Sequence, residues 1–111
     1  MDKETEQLLN QAQLYQQQIQ TILTQKAALT LELNEINKAL EEIEKTDEKS
    51  VLKVSGPILI KMGTEDIKKE LNEKKDMINL RVKTIEKQEL RLKEKIEELR
   101  SKLMKSQSKA G

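Results

Sequence analysis

From Leu8 to Ile43 the apolar residues recur in steps of three and four: Leu8, Ala12, Tyr15, Ile19, Ile22, Leu29, Leu33, Ile36, Leu40 and Ile43. That spacing keeps one stripe on one face of an α-helix, with the period of a coiled-coil seam. With Leu8 at position d, Lys26 is the only polar residue at an a position. The pattern predicts a helix over about 3–45, with Thr46, Asp47 and Ser50 marking its exit. A second stripe runs through Leu71, Ile78, Val82, Ile85, Leu92, Ile96, Leu99 and Leu103, interrupted by Lys75 and Glu89. It predicts a second helix over about 64–105, entered at Gly63-Thr64 with Thr64 as a cap and Glu65 and Asp66 in the first turn. Residues 106–111 carry no stripe and are expected to fray.

The stretch between the stripes breaks both helical patterns. Two short runs of aliphatic and β-branched residues, Val51, Leu52 and Val54 and then Ile58, Leu59, Ile60 and Met62, flank Gly56-Pro57. Glycine supplies unusual backbone angles and proline removes a ladder donor, so the chain turns there and the stretch reads as a β-hairpin. A lone two-stranded hairpin is marginal in water, and this one carries more aliphatic surface than two helix ends can cover. It is therefore expected to join a sheet shared between subunits, with these seven aliphatic residues as the assembly element.

Because the hairpin reverses the chain, the two helices should pair as an antiparallel coiled coil, each seam spanning roughly 50 Å at 1.5 Å per residue. In either neighbouring register Lys26 and Glu89 fall in adjacent layers, where they can pair and set the register.

Composition narrows the function. In 111 residues there is one aromatic side chain, Tyr15, and 37% of residues are charged, so a long solvated helical pair fits better than an ordinary globular core. Cysteine and histidine are absent, which removes disulfides, thiolate metal sites and the commonest acid-base and nucleophile pairs. No enzyme, cofactor or metal is expected. The formal charge is +1 with acids and bases interleaved, and with no stacking aromatics a nucleic-acid partner is not expected. No apolar run reaches the length of a membrane span, and the chain begins with charge, so a soluble cytoplasmic protein is expected, without a membrane partner.

One further pattern points to binding. From Gln7 to Gln25 there is no charged residue, and eight of the positions are glutamine. Beside this neutral stretch lie apolar residues outside the strict seam, Leu9, Leu14 and Leu23, and on the second helix Met104 next to Leu103. Neutral hydrogen-bonding groups with mobile aliphatic side chains suit contact with varied apolar sequences, although on this feature alone a glutamine-rich face chosen for helix propensity is the slightly better account. The free end, comprising Leu8, Leu9, Ala12, Leu14, Tyr15, Leu99, Leu103 and Met104, is the candidate contact region on that reading.

Helix, single hairpin with Ser55-Gly56-Pro57-Ile58-Leu59-Ile60, and second helix with Asn79-Leu80-Arg81-Val82-Lys83-Thr84-Ile85-Glu86-Lys87-Gln88-Glu89 together resemble the β-class subunits of prefoldin, most closely the archaeal ones. Gln25-Lys26 and Ala39-Leu40-Glu41-Glu42 fit as well, and the likeness covers nearly the whole chain. Leu52 departs from it, since many relatives carry Tyr in the first strand. The resemblance implies an ATP-independent chaperone in which two α-class and four β-class subunits build a double β-barrel from their hairpins, with coiled coils hanging from it. Non-native polypeptide would be held at the coil tips and passed to a group II chaperonin. The single hairpin, against two in α-class chains, implies the β class. A structural coiled-coil scaffold or tether, whose hairpin only dimerises, is the rival; it should bury its seam to the end.

Overall fold

The computed structural model describes residues 2–110 as two helices joined by a hairpin: α1 (Lys3–Lys45), β1 (Ser50–Ser55), β2 (Ile58–Gly63) and α2 (Thr64–Ala110). Helix α2 continues past the end near 105 that its stripe predicts, because Ser, Gln, Lys and Ala after Met104 include no helix breaker. Gly111, the last residue of the expected frayed tail, lies outside the described residues.

The strands are antiparallel with Ser55 opposite Ile58, leaving Gly56-Pro57 as a two-residue turn. Gly56 has φ +57°, and positive φ at the first turn position is the type II′ pattern that matches the twist of a hairpin. A Cβ at Gly56 would meet no atom within 4 Å, so glycine is required there for backbone angle and not for room.

The chain divides into two compact units, one formed by α1 up to Ala27 with α2 from Val82 onward, the other by Ala28–Arg81. In the first unit every seam position of α1, from Leu8 to Lys26, is withdrawn from solvent, as are Val82 to Leu103 at their seam positions. Ile22, Leu92 and Leu99 are buried. Two contacts give the direction: the Thr5 and Ser106 hydroxyls lie 2.7 Å apart, and Lys26 Nζ donates to Glu89 Oε1 at 3.3 Å. As α1 advances α2 retreats, so the segments are antiparallel.

The second unit buries Ile36, Ile43, Ile67 and Ile78. Ile67 lies one step before the stripe read from sequence. Ile67, Leu71 and Lys75 are separated by two consecutive steps of four, a stutter that locally unwinds a coiled coil and that a strict heptad reading passes over. Thr64 is also buried, and its hydroxyl donates to the Glu48 carbonyl at 2.7 Å while its N–H donates to Lys49 O at 2.9 Å. The predicted capping side chain thus ties α2 to the loop before β1. Glu44 and Lys68, 3.2 Å apart, link the two helices of this unit.

Lys26 also lies 3.8 Å from Glu86, and Glu89 lies 3.9 Å from Lys93. The Glu89 side chain is only 13% exposed, so removing Lys26 leaves a largely desolvated carboxylate with only the exposed Lys93 beside it. Lys26→Met is expected to destabilise by about 1 kcal/mol, whereas Lys26→Met with Glu89→Leu should restore much of that loss. Chemical denaturation of the four members of this cycle checks it; additive single effects would count against pairing.

Candidate functional site

The hairpin register decides which aliphatic residues share a face. Residues directly opposite each other project to the same side, and neighbours along a strand project to opposite sides. Val51 pairs with Met62, Lys53 with Ile60 and Ser55 with Ile58 on one face; Leu52 pairs with Lys61 and Val54 with Leu59 on the other. Val51 and Met62 are half-buried, so the first face is partly covered by the chain itself. Leu52, Val54 and Leu59 are 64%, 72% and 62% exposed and form a continuous aliphatic surface with nothing on it. Ile58 and Ile60 extend the exposed apolar area on the first face, towards the turn.

Sequence reading missed what orients the hairpin. Lys53 of β1 donates to Glu70 of α2, and the pair is two-thirds or more buried on each side. The Lys53 ammonium holds the Glu70 carboxyl below the ordinary glutamate range, the hydrogen bond acting more strongly than the opposing loss of hydration. The signal was a lone lysine at an inward position of an otherwise aliphatic strand, which needs an acid within reach.

In the first unit the region around the ends of the chain combines closed and open apolar residues. Leu99 is buried, while Leu8, Ala12, Tyr15 and Leu103 are half-buried. Leu9, Leu14 and Met104 are 40%, 51% and 63% exposed and present apolar surface without any opening of the helices. Tyr15 accepts a 3.0 Å hydrogen bond from Gln11 Nε2, which ties its phenol to the glutamine-rich face. Asp2 caps α1: its carboxylate accepts from the Thr5 N–H at 2.7 Å, and that bond lowers its pKa below the usual value. The last seam layer is polar, since Thr5 and Ser106 occupy it.

No group of acidic side chains among the described residues is placed to hold a metal ion. No described helix is long and apolar enough to cross a membrane.

The seam stays withdrawn from solvent to Leu8 and Leu103, as the scaffold reading expects, while Leu9, Leu14 and Met104 off the seam are exposed, as the chaperone reading expects. The model of the family described as prefoldin subunit matches residues 6–110. The chain belongs to the prefoldin subunit family. It is 42% identical over 97 residues to the prefoldin subunit beta of Archaeoglobus fulgidus, covering 86% of this chain and 84% of that one. The Pyrococcus furiosus prefoldin subunit beta is 40% identical over 97 residues, covering 86% and 83%. In three dimensions the chain is similar to the crystal structure of the prefoldin beta subunit from Thermococcus strain KS-1, with TM-score 0.87, 34% identity and coverage of 95% and 93%. Prefoldin subunits are chaperone components and not enzymes, and they assemble with other prefoldin subunits.

The Lys53–Glu70 tie makes the prefoldin hairpin sensitive to acid. Because the Glu70 pKa is lowered in the folded chain, its contribution is complete above the ordinary carboxylate range and is lost as pH falls through the depressed folded value. On acidification from neutral pH the melting temperature of the native chain should fall more than that of Glu70→Gln, and the two should converge below that range. A carboxyl titration of Glu70 followed by NMR, with a midpoint at or above the ordinary glutamate value, would remove the basis for this.

Proposed function

We propose that this chain is the β-type subunit of an ATP-independent holding chaperone, and that it has two surfaces with separate roles. The observation that carries the reading is the open face of Leu52, Val54 and Leu59 on a hairpin whose own helices leave it uncovered. That face packs in a β-barrel shared with further copies of the chain and with an α-class subunit, in the proportion of four to two. Val51, Ile58, Ile60 and Met62 complete the hairpin's apolar content on its other face. No cofactor takes part.

The apolar residues around the chain ends, Leu8, Leu9, Ala12, Leu14, Tyr15, Leu99, Leu103 and Met104, contact non-native polypeptide. Leu9, Leu14 and Met104 are available at all times, and the half-buried residues join when the polar Thr5–Ser106 layer opens. One such end binds weakly, but several on one assembly raise the effective concentration for a single client. Fast dissociation of each contact allows release without nucleotide, and transfer contact by contact to another multivalent acceptor, a group II chaperonin in the cytoplasm.

Leu59→Asp places a charge in the middle of the open face, and Leu52→Asp does so at its side. Either is expected to abolish the hexamer on native mass measurement with the α-class partner, with most helicity by circular dichroism retained. An unchanged mass would sink the shared-sheet assignment. Removal of residues 1–11 with everything after Leu99 should leave the assembly intact and reduce its suppression of aggregation of a diluted, denatured protein. A truncated complex that holds clients as well as the full chain would transfer the role to another surface, and a full-length complex without any effect on light scattering would favour the scaffold.

A further inference from the structure

On one edge of the first unit four exposed apolar side chains fall into two pairs. Gln18 and Gln25 of α1 flank the seam on one side, where with Gln88 and Lys95 of α2 they line a shallow groove. Leu9 and Leu23 flank it on the other side, the side on which the Lys26 ammonium meets Glu86 and Glu89. On α2 Leu90 falls four residues after Glu86 and three before Lys93, which places it on this same edge, and Met104 repeats its heptad position. All four are exposed.

The contacts of Thr5 with Ser106 and of Lys26 with Glu89 set the antiparallel register. In that register Leu9 comes level with Met104, and Leu23 with Leu90, each to within about two residues, or about 3 Å along the axis. Leu9 and Leu23 are two heptads apart, as are Leu90 and Met104, so the pairs form two apolar stations about 21 Å from each other. The first station belongs to the region around the chain ends. The second lies in the interior of the unit, beside the Lys26–Glu89 pair, and is open to solvent.

What lies between the stations favours an uncharged occupant. On the α1 side the residues are Gln13, Gln16 and Gln20, whose amides both donate and accept hydrogen bonds. On the α2 side the charges of the edge are taken up in ion pairs, Lys93 lying 3.9 Å from Glu89 and Arg100 3.8 Å from Glu97. A polypeptide laid along this edge meets aliphatic side chains at both stations. Between them it meets amides that can pair with its backbone and charges that already have partners. An extended chain rises about 3.3 Å per residue and shows alternate side chains on one face, so aliphatic residues six apart are about 20 Å apart and on the same side.

We propose that this edge binds polypeptide as an extended, uncharged segment with aliphatic residues six positions apart, one at Leu9 and Met104 and the other at Leu23 and Leu90. The assignment rests on the reading that the chain holds non-native polypeptide. It adds a contact station away from the chain ends and gives the favoured segment its spacing.

Fluorescent peptides on a background of Gln, Ser and Thr test this by anisotropy with the full-length chain: three carry two leucines, five, six or seven positions apart, and a fourth carries one. The six-spaced peptide should bind roughly tenfold more tightly than the single-leucine peptide, whereas the five- and seven-spaced peptides, whose leucines face opposite ways, should gain little. Leu23→Gln with Leu90→Gln should bring the six-spaced peptide down to the single-leucine affinity with helicity unchanged, since both side chains are exposed. Arg91→Gln, in the groove on the other edge, should leave the preference intact. Equal affinity for every spacing, or a preference that survives the double leucine change, would overturn the proposal. So would a fall in the mass of the chain on sedimentation caused by that change, which would make the edge a contact between copies. The two readings fail separately. A complex that suppresses aggregation while its chain binds the six-spaced and single-leucine peptides alike loses only the second station; a complex without effect on denatured protein, whose chain still prefers the six-spaced peptide, loses only the chaperone reading.

Discussion

A single-helix segment of more than forty residues is held in water by what its apolar stripe packs on, and in this chain that stripe is a continuous seam. From Thr5 to Ile43 each step of three or four lands on a residue withdrawn from solvent. Among the described residues the seven buried apolar side chains lie on this stripe (Ile22, Ile36, Ile43) or on that of α2 (Ile67, Ile78, Leu92, Leu99). Each would contribute about 1.5–3 kcal/mol on complete burial, well above the few tenths that a surface ion pair adds. The polar seam members, Lys26 with Glu89 and Thr5 with Ser106, therefore act mainly on register and on how readily a layer opens.

The hairpin obeys the opposite constraint. Its two-residue turn and six-residue strands pair the backbone groups that face each other, yet they leave Leu52, Val54 and Leu59 without cover. A chain of this size with one aromatic residue has no spare element to lay across that face. What the chain does supply is orientation: Lys53 to Glu70, and Thr64 to the carbonyl of Glu48, connect the sheet and its flanking loop to the start of α2. Membership of the prefoldin subunit family makes sense of a hairpin that is anchored on one side and open on the other.

Charge is arranged for more than solubility. The net charge is close to zero, but α1 is almost neutral over the stretch that faces the densest charges of α2. Lys26 of α1 pairs with Glu86 and Glu89 of α2, whereas the other ion pairs described in this unit, Lys93 with Glu89 and Arg100 with Glu97, lie within α2.

The stripes at steps of three and four and the turn at Gly56-Pro57 were legible from residues alone, because each depends on neighbours within one or two turns of chain. Ile67 escaped, since its step of four followed by another four is a stutter that a heptad template excludes. The open face of the hairpin also escaped. Both faces are aliphatic, Val51 and Met62 on one and Leu52, Val54 and Leu59 on the other, so alternation could not say which one the chain covers. That choice is made by Lys53 reaching Glu70, residues 17 apart in sequence. Likewise Thr64 carried the sequence signal of a cap, and the folded chain turned its hydroxyl to the Glu48 carbonyl 16 residues away. Local periodicity specifies which face of an element is apolar. Which apolar face is closed, and which charges are left over, depends on partners brought together only when the elements dock.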